Sequence, residues 1–281
     1  MLVSHQPVAI HEVHGGDGLR LDVREWGNPT GTPVVFIHGW SQSQLCWLRQ
    51  IESPLAKSFR LVTFDHRGHG ASEKPLGADR YTDGQLWADD LAAVVDQVGI
   101  ERPVLVAWSY GGFVVADFLR AYGEDRVRAI NLVGGAVLLK PPAFDHIGPG
   151  FLESAEGACS SDLPTSIGAM LAFLRRCTAK PLSNDAWSAA VAWNMVVPPE
   201  VRGALLTREI DSDDVFGTLT VPVLLSHGRE DEIVLPSMAE HVAAICATAE
   251  PSWYHAVGHM PFWEDHQRFN RELEAFVTGA S

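Results

Sequence analysis

Cysteine, basic residues and long apolar runs are all scarce in this 281-residue chain. The four cysteines, Cys46, Cys159, Cys177 and Cys246, are widely scattered and form no C-x-x-C pair. That spacing argues against a disulfide framework or a thiolate zinc site and fits reduced thiols in a cytosolic protein. Lysine and arginine number 21 against 35 aspartates and glutamates, a net charge of −14. Such a surface repels polyanions, so neither nucleic acid nor an anionic membrane is expected as a partner. No stretch approaches the ~20 apolar residues of a membrane span. Met1 to Pro7 lacks the basic segment and apolar run of a secretory signal, so the expected location is cytoplasmic.

What is present is an ordinary globular composition, 46% hydrophobic and 20% charged. Residues 7–14 and 19–26 read as a hairpin joined by His14-Gly15-Gly16-Asp17-Gly18. Of the N-terminal histidines, His5, His11 and His14 are expected to be exposed. Strand-like runs follow at 33–37, 59–64, 103–108 and 127–133, with helical spacing near 43–57 and 85–99. This alternation calls for a mostly parallel sheet covered by helices on both faces. It breaks at Lys140-Pro141-Pro142 and resumes with a strand at 221–226, a helix near 236–247, a strand near 251–257 and a helix near 265–278. The intervening 140–214 holds short helical candidates rich in aromatics. An insertion between two strands of one sheet is a lid, so the expected division is a core of 1–139 and 215–281 with a helical cap at 140–214.

The chain is organised around Ala107-Trp108-Ser109-Tyr110-Gly111, where an apolar run gives way to a helical pattern. Strand, turn and helix form the context of a nucleophile elbow, in which a serine sits on a strained bend with small neighbours two residues either side. Gly111 meets that demand, and Ala107 stands where the usual pattern has glycine. A serine nucleophile needs a base and an acid to orient that base. His259 follows the last strand, and Asp231 follows the strand at 221–226. Each has an ordinary alternative: a buried turn serine, one solvated histidine among 12, an acidic loop between Glu230 and Glu232. The conjunction weighs more than its parts. Three fitting residue types, in the order Ser, Asp, His, each follow a separate strand.

Taken with His38-Gly39-Trp40, Asp65-x-Arg67-Gly68-x-Gly70, Gly112, His227-Gly228 and Gly258-His259-x-Pro261, these residues resemble the α/β-hydrolase superfamily over nearly the whole chain. The likeness leans toward its capped esterases, cofactor-free haloperoxidases (perhydrolases) and carbon–carbon hydrolases. It implies the α/β-hydrolase fold: about eight strands, the second antiparallel, with a helical cap. Relatives with haloalkane dehalogenase or epoxide hydrolase activity carry an aspartate nucleophile, which Ser109 argues against.

The resemblance further implies an oxyanion hole made by the backbone N–H groups of Trp40 and Tyr110. No cofactor and no metal are implied, because the Asp65, His66 and His69 turn is structural in the family. Trp108 is expected to pack rather than line a pocket. Phe144, Phe173, Trp187 and Trp193 are the candidate pocket residues of the cap. The expected activity is cleavage of small apolar or aromatic esters through an acyl-enzyme. The alternatives are a carbon–carbon hydrolase or enol-lactonase with the same residues, a cofactor-free dioxygenase, and a non-enzymatic ligand receptor. Arg175-Arg176 could hold a substrate carboxylate, although a solvated helix face is the simpler reading.

Overall fold

The computed structural model describes residues 6–140 and 143–280. His5 and the Pro141-Pro142 pair lie outside them. The strands are β1 (Ala9–His14), β2 (Arg20–Gly27), β3 (Pro33–Ile37), β4 (Arg60–Phe64), β5 (Val104–Trp108), β6 (Ala129–Val133), β7 (Leu138–Leu139), β8 (Ile210–Asp211), β9 (Val223–Gly228) and β10 (Ala249–Tyr254). Eight of them form one sheet in the order β1-β2-β4-β3-β5-β6-β9-β10, while β7 and β8 pair separately. β2 runs antiparallel to both neighbours, and every other pairing in the large sheet is parallel.

Burial follows position in the sheet. β5 and β6 read Val-Leu-Val-Ala-Trp and Ala-Ile-Asn-Leu-Val and are buried at every position. Continuous apolar runs suit central parallel strands covered on both faces. The edge strand β1 instead alternates exposure, and Pro251 is tolerated because β10 is the opposite edge. The helix Gly84–Gln97 starts where Asp83 accepts a hydrogen bond from the Gln85 amide at 2.9 Å. The helix Gly111–Tyr122 follows β5 directly and stops at Gly123, whose φ of 82° ends it.

Several expected elements differ in extent. The helical stretch near 43–57 is broken into Gln44–Trp47, Leu48–Ile51 and Leu55–Ser58. Pro54 removes a backbone donor there, and the Ser53 hydroxyl competes by accepting from Leu55 N and donating to Gln50 O. The last strand is Ala249–Tyr254, two to three residues earlier than the run near 251–257. The segment between β7 and β8 carries four helices, Pro149–Ala158, Leu163–Arg176, Asn184–Met195 and Pro199–Leu206. The short β7–β8 ribbon brings the two ends of this segment together, and two-residue strands are too brief to leave an alternation signal.

Candidate active site

Ser109 occupies the turn between β5 and the helix Gly111–Tyr122 with φ at 54°, a left-handed conformation that is costly for a residue with a Cβ. The turn is over-determined by its backbone. Ser109 N donates to Val133 O at 3.1 Å, and Ser109 O accepts from Gly112 N and Ala136 N at 3.0 Å. A side chain on Gly111 would meet Ile37 O at 2.8 Å, so the helix can start this close to β3 only with glycine. Ala107 is fully buried and takes the place of a glycine without altering the bend.

His259 and Asp231 meet below the same sheet edge. His259 Nδ1 lies 2.7 Å from Asp231 Oδ2. The other carboxylate oxygen accepts from the amides of Ile233 and Val234 at 2.8 and 3.0 Å. His227 Nε2, donating to Val234 O at 2.9 Å, also sits 3.3 Å from Asp231 Oδ2. Burial alone would raise the Asp231 pKa. The charge and hydrogen bond of His259 and those of His227 outweigh it and hold the carboxyl below the usual carboxylate range. An ionised Asp231 is an acceptor only, so Nδ1 of His259 carries the proton and Nε2 presents its lone pair.

The imidazole is placed by what surrounds it. Trp108, the residue before the serine, donates its indole N–H to His259 O at 2.9 Å. Gly134, at the end of β6, has no side chain because a Cβ there would lie 3.0 Å from His259 Nδ1 and 3.3 Å from Asp231 Oδ2. His259 Nε2 is buried and has no hydrogen-bond partner.

Across the elbow stands Gly39, where a Cβ would come within 3.0 Å of Ser109 Cβ. No turn, loop or cap hydrogen bond among the described residues uses the amide of Trp40 or of Tyr110. The His38-Gly39-Trp40 segment rests on a buried histidine group, with His66 N donating to His38 Nε2 at 3.1 Å and the His38 and His66 rings 4.0 Å apart. Asp65 accepts from Gln44 N and Ala71 N, and His69 Nδ1 bonds Arg67 O. These bonds hold the turn. Among the described residues no group of three or more histidine, cysteine, aspartate or glutamate side chains could hold a metal ion.

An apolar cavity of about 30 Å³ touches Ser109. Phe113, Leu139, Ile147, Phe151, Leu206 and Val234 are among its walls. The four aromatics expected to line a pocket are not. Phe144 stands 45% exposed. Trp187 is half-buried with the Arg175 guanidinium 5.2 Å from its ring. Trp193 donates to Gln42 Oε1 at 2.9 Å. Phe173 packs edge-on behind Trp40 and Phe151. Helical spacing marked these residues as apolar but could not tell which face of a cap helix turns toward Ser109.

Arg176 is spent on Glu232 and Glu153 at the surface, which removes it from the cavity. Trp108 packs against His259 and Phe262, as expected. His11 is hydrogen-bonded to Glu25 and only partly exposed, whereas His14 is exposed. His227 is the partner that sequence reasoning missed. It entered the sequence reading only as part of the His227-Gly228 match, with no role assigned to its side chain.

A family model of the alpha/beta hydrolase fold matches residues 32–266. The chain belongs to this family and, like the relatives it most resembles, is an enzyme of the α/β-hydrolase type in the esterase and perhydrolase group. The crystal structure of esterase RhEst1 from Rhodococcus sp. ECU1013 superposes with a TM-score of 0.92 at 34% identity, covering 98% of this chain and all of that one. The bifunctional esterase/perhydrolase DCH of Acinetobacter calcoaceticus is 26% identical over 93% of this chain and 97% of its own length. The non-heme chloroperoxidase CPO-A1 of Kitasatospora aureofaciens is 27% identical, over 93% and 97% respectively. Among the described residues no helix is long and apolar enough to cross a membrane.

Proposed function

We propose that the protein is a serine esterase that cleaves small apolar or aromatic carboxylic esters through an acyl-enzyme on Ser109. One observation carries the reading. His259 is hydrogen-bonded to Asp231 through Nδ1, its Nε2 is buried and unpartnered, and its ring packs on Trp108, the residue before Ser109. Ser109 Oγ gives its proton to Nε2 as it attacks the ester carbonyl. Asp231 holds the tautomer and stabilises the imidazolium. The tetrahedral oxyanion takes the Trp40 and Tyr110 amides, each such donor being worth about 3–4 kcal/mol. The imidazolium then protonates the departing alkoxide, leaving Ser109 acylated. A water attacks the acyl carbon with His259 as base, releasing the carboxylate and restoring the serine.

The insertion 140–214 is a cap in this reading. Its Phe151 and Leu206 line the apolar cavity at Ser109. The walls offer no charge to a substrate, which favours neutral esters over acids. The similarity to an esterase/perhydrolase supports the same acyl-enzyme passing to hydrogen peroxide as a second acceptor. Hydrolysis of short-chain aryl esters by wild type and Ser109→Ala tests the proposal. The variant is expected to lose on the order of 10⁴-fold in kcat, and equal rates would refute it.

A further inference from the structure

We propose that Arg202 is a positioning residue for the oxyanion-binding amide of Trp40, coupling the cap to the reaction centre. The inference rests on the serine-esterase reading above and adds a residue to it. Arg202 lies on the helix Pro199–Leu206 and is fully buried. No carboxylate among the described residues forms an ion pair with it, so an isolated cation is held inside the fold by neutral acceptors alone. Burying a charge this way is expensive and persists only where hydrogen bonding is complete.

Those acceptors are drawn from the three other α-helices of the cap and the turn that precedes the helix of Arg202. Arg202 Nη1 donates to Ala158 O at 2.7 Å and Ser166 Oγ at 2.9 Å. Nη2 donates to Asn194 O at 3.1 Å and Val197 O at 2.8 Å. The remaining donor, Nε, leaves the cap and reaches Ser41 Oγ at 3.0 Å. One planar fork thus gathers the helices Pro149–Ala158, Leu163–Arg176 and Asn184–Met195 onto its own and ties them to the residue after Trp40.

Ser41 is where this matters. Its φ of 59° is left-handed, a strained state for serine that its surroundings must maintain. Arg202 Nε holds its hydroxyl, which in turn donates to Asn194 O at 3.4 Å. On one side the Trp40 indole N–H donates to Arg202 O at 3.1 Å. On the other, Trp193 Nε1 and Asn194 Nδ2 both donate to Gln42 Oε1, at 2.9 and 3.1 Å. The side chains of three consecutive residues, Trp40, Ser41 and Gln42, are therefore each hydrogen-bonded to the cap, Trp40 through the Arg202 carbonyl, Ser41 through the Arg202 guanidinium and the Asn194 carbonyl, and Gln42 through Trp193 and Asn194. Loosening Arg202 lets Ser41 relax toward ordinary φ and carries the Trp40 amide off the oxyanion position, where small displacements cost rate steeply. Arg202 itself does not line the cavity at Ser109, so the effect is expected in rate rather than in binding.

The test compares wild type, Arg202→Lys, Ser41→Ala and Ser109→Ala on p-nitrophenyl acetate, with active enzyme counted by titration and folding checked by circular dichroism. Lysine keeps the charge but cannot span five acceptors. Arg202→Lys is expected to lose at least tenfold in kcat with KM within twofold, and its inactivation by a fluorophosphonate is expected to slow by the same factor. Ser41→Ala is expected to show the same pattern at about threefold, and the double variant to be no worse than Arg202→Lys, since both cut one bond. A role confined to stability would lower the folded fraction and leave kcat per active site unchanged. That outcome, or a loss expressed only in KM, overturns the proposal. If Arg202→Lys does not fold, Ser41→Ala decides alone by the same criteria. Hydrolysis surviving in Ser109→Ala overturns the esterase reading and this proposal together. An inactive Ser109→Ala beside a fully active Arg202→Lys overturns this one only.

Discussion

Acidification to pH 5 should destabilise the fold through histidines that never touch substrate. His38, His66 and His69 are buried together under the Gly39 turn, with ring centroids 4.0 to 5.9 Å apart. Burial, aided by mutual repulsion, lowers the pKa of His66 from 6.5 to about 3. Burial likewise lowers His69 to about 4, despite the hydrogen bond to Arg67 O. His38 is depressed by the same causes. Folded values below the unfolded one mean that the unfolded chain takes up protons first as pH falls. Stability is therefore full above about pH 6.5 and is lost from there down toward pH 4. Between pH 8 and pH 5, linkage gives a loss of about 2 kcal/mol for each of His66 and His69.

Asp90 works the other way. Burial, opposed by Arg67, raises it to about 6, so it gains a proton in the fold over the same window and returns about 1 kcal/mol. His66, His69 and Asp90 together give a loss of about 3 kcal/mol, and the depressed His38 adds to it. Urea unfolding followed by tryptophan fluorescence at the two pH values measures it, provided the slope with denaturant stays constant. His69→Gln keeps a donor for Arg67 O without a titrating ring and should recover about 2 kcal/mol of the difference. Wild-type stability that is flat between pH 8 and 5, or a His69→Gln variant with undiminished acid loss, would refute the reasoning.

Three further outcomes follow from the same geometry. Asp231→Asn should fold normally and lose on the order of 10⁴-fold in kcat, because the amide can donate to Nδ1 and favour the wrong tautomer; aryl ester kinetics check this. Gly134→Ala should cut kcat at least tenfold, since its φ of 48° and a Cβ 3.0 Å from His259 Nδ1 leave no room for a side chain beside the imidazole. The control is a melting temperature close enough to wild type that folding is not the cause. Arg67→Met strands the Asp90 carboxylate, now held at 2.7 and 2.8 Å, and should cost about 3–5 kcal/mol in urea unfolding.

Much of this architecture was legible in the chain because parallel strands buried on both faces leave continuous apolar runs. Val104–Trp108 and Ala129–Val133 were visible for that reason. Ser109, Asp231 and His259 stood out as polar residues that follow three separate strands in a recognisable order. What could not be read was direction. Phe144, Trp187 and Trp193 are as apolar as Phe151 and Ile147, yet only the tertiary packing of short helices decides which reach Ser109. Arg202 carried no signal either. A lone arginine in an amphipathic helix looks solvated until its five backbone and hydroxyl acceptors are placed around it. Pro54 did announce the break in the stretch near 43–57, but apolar spacing on both sides masked it.

The most direct measurement is the mass of the intact protein after treatment with a fluorophosphonate, followed by mapping of the modified peptide. A hydroxyl activated by the buried base at 259 should acquire one phosphonyl group, located on the elbow serine, with ester hydrolysis falling in step with labelling. Labelling at another residue, or complete labelling of the serine with hydrolysis undiminished, would contradict the account.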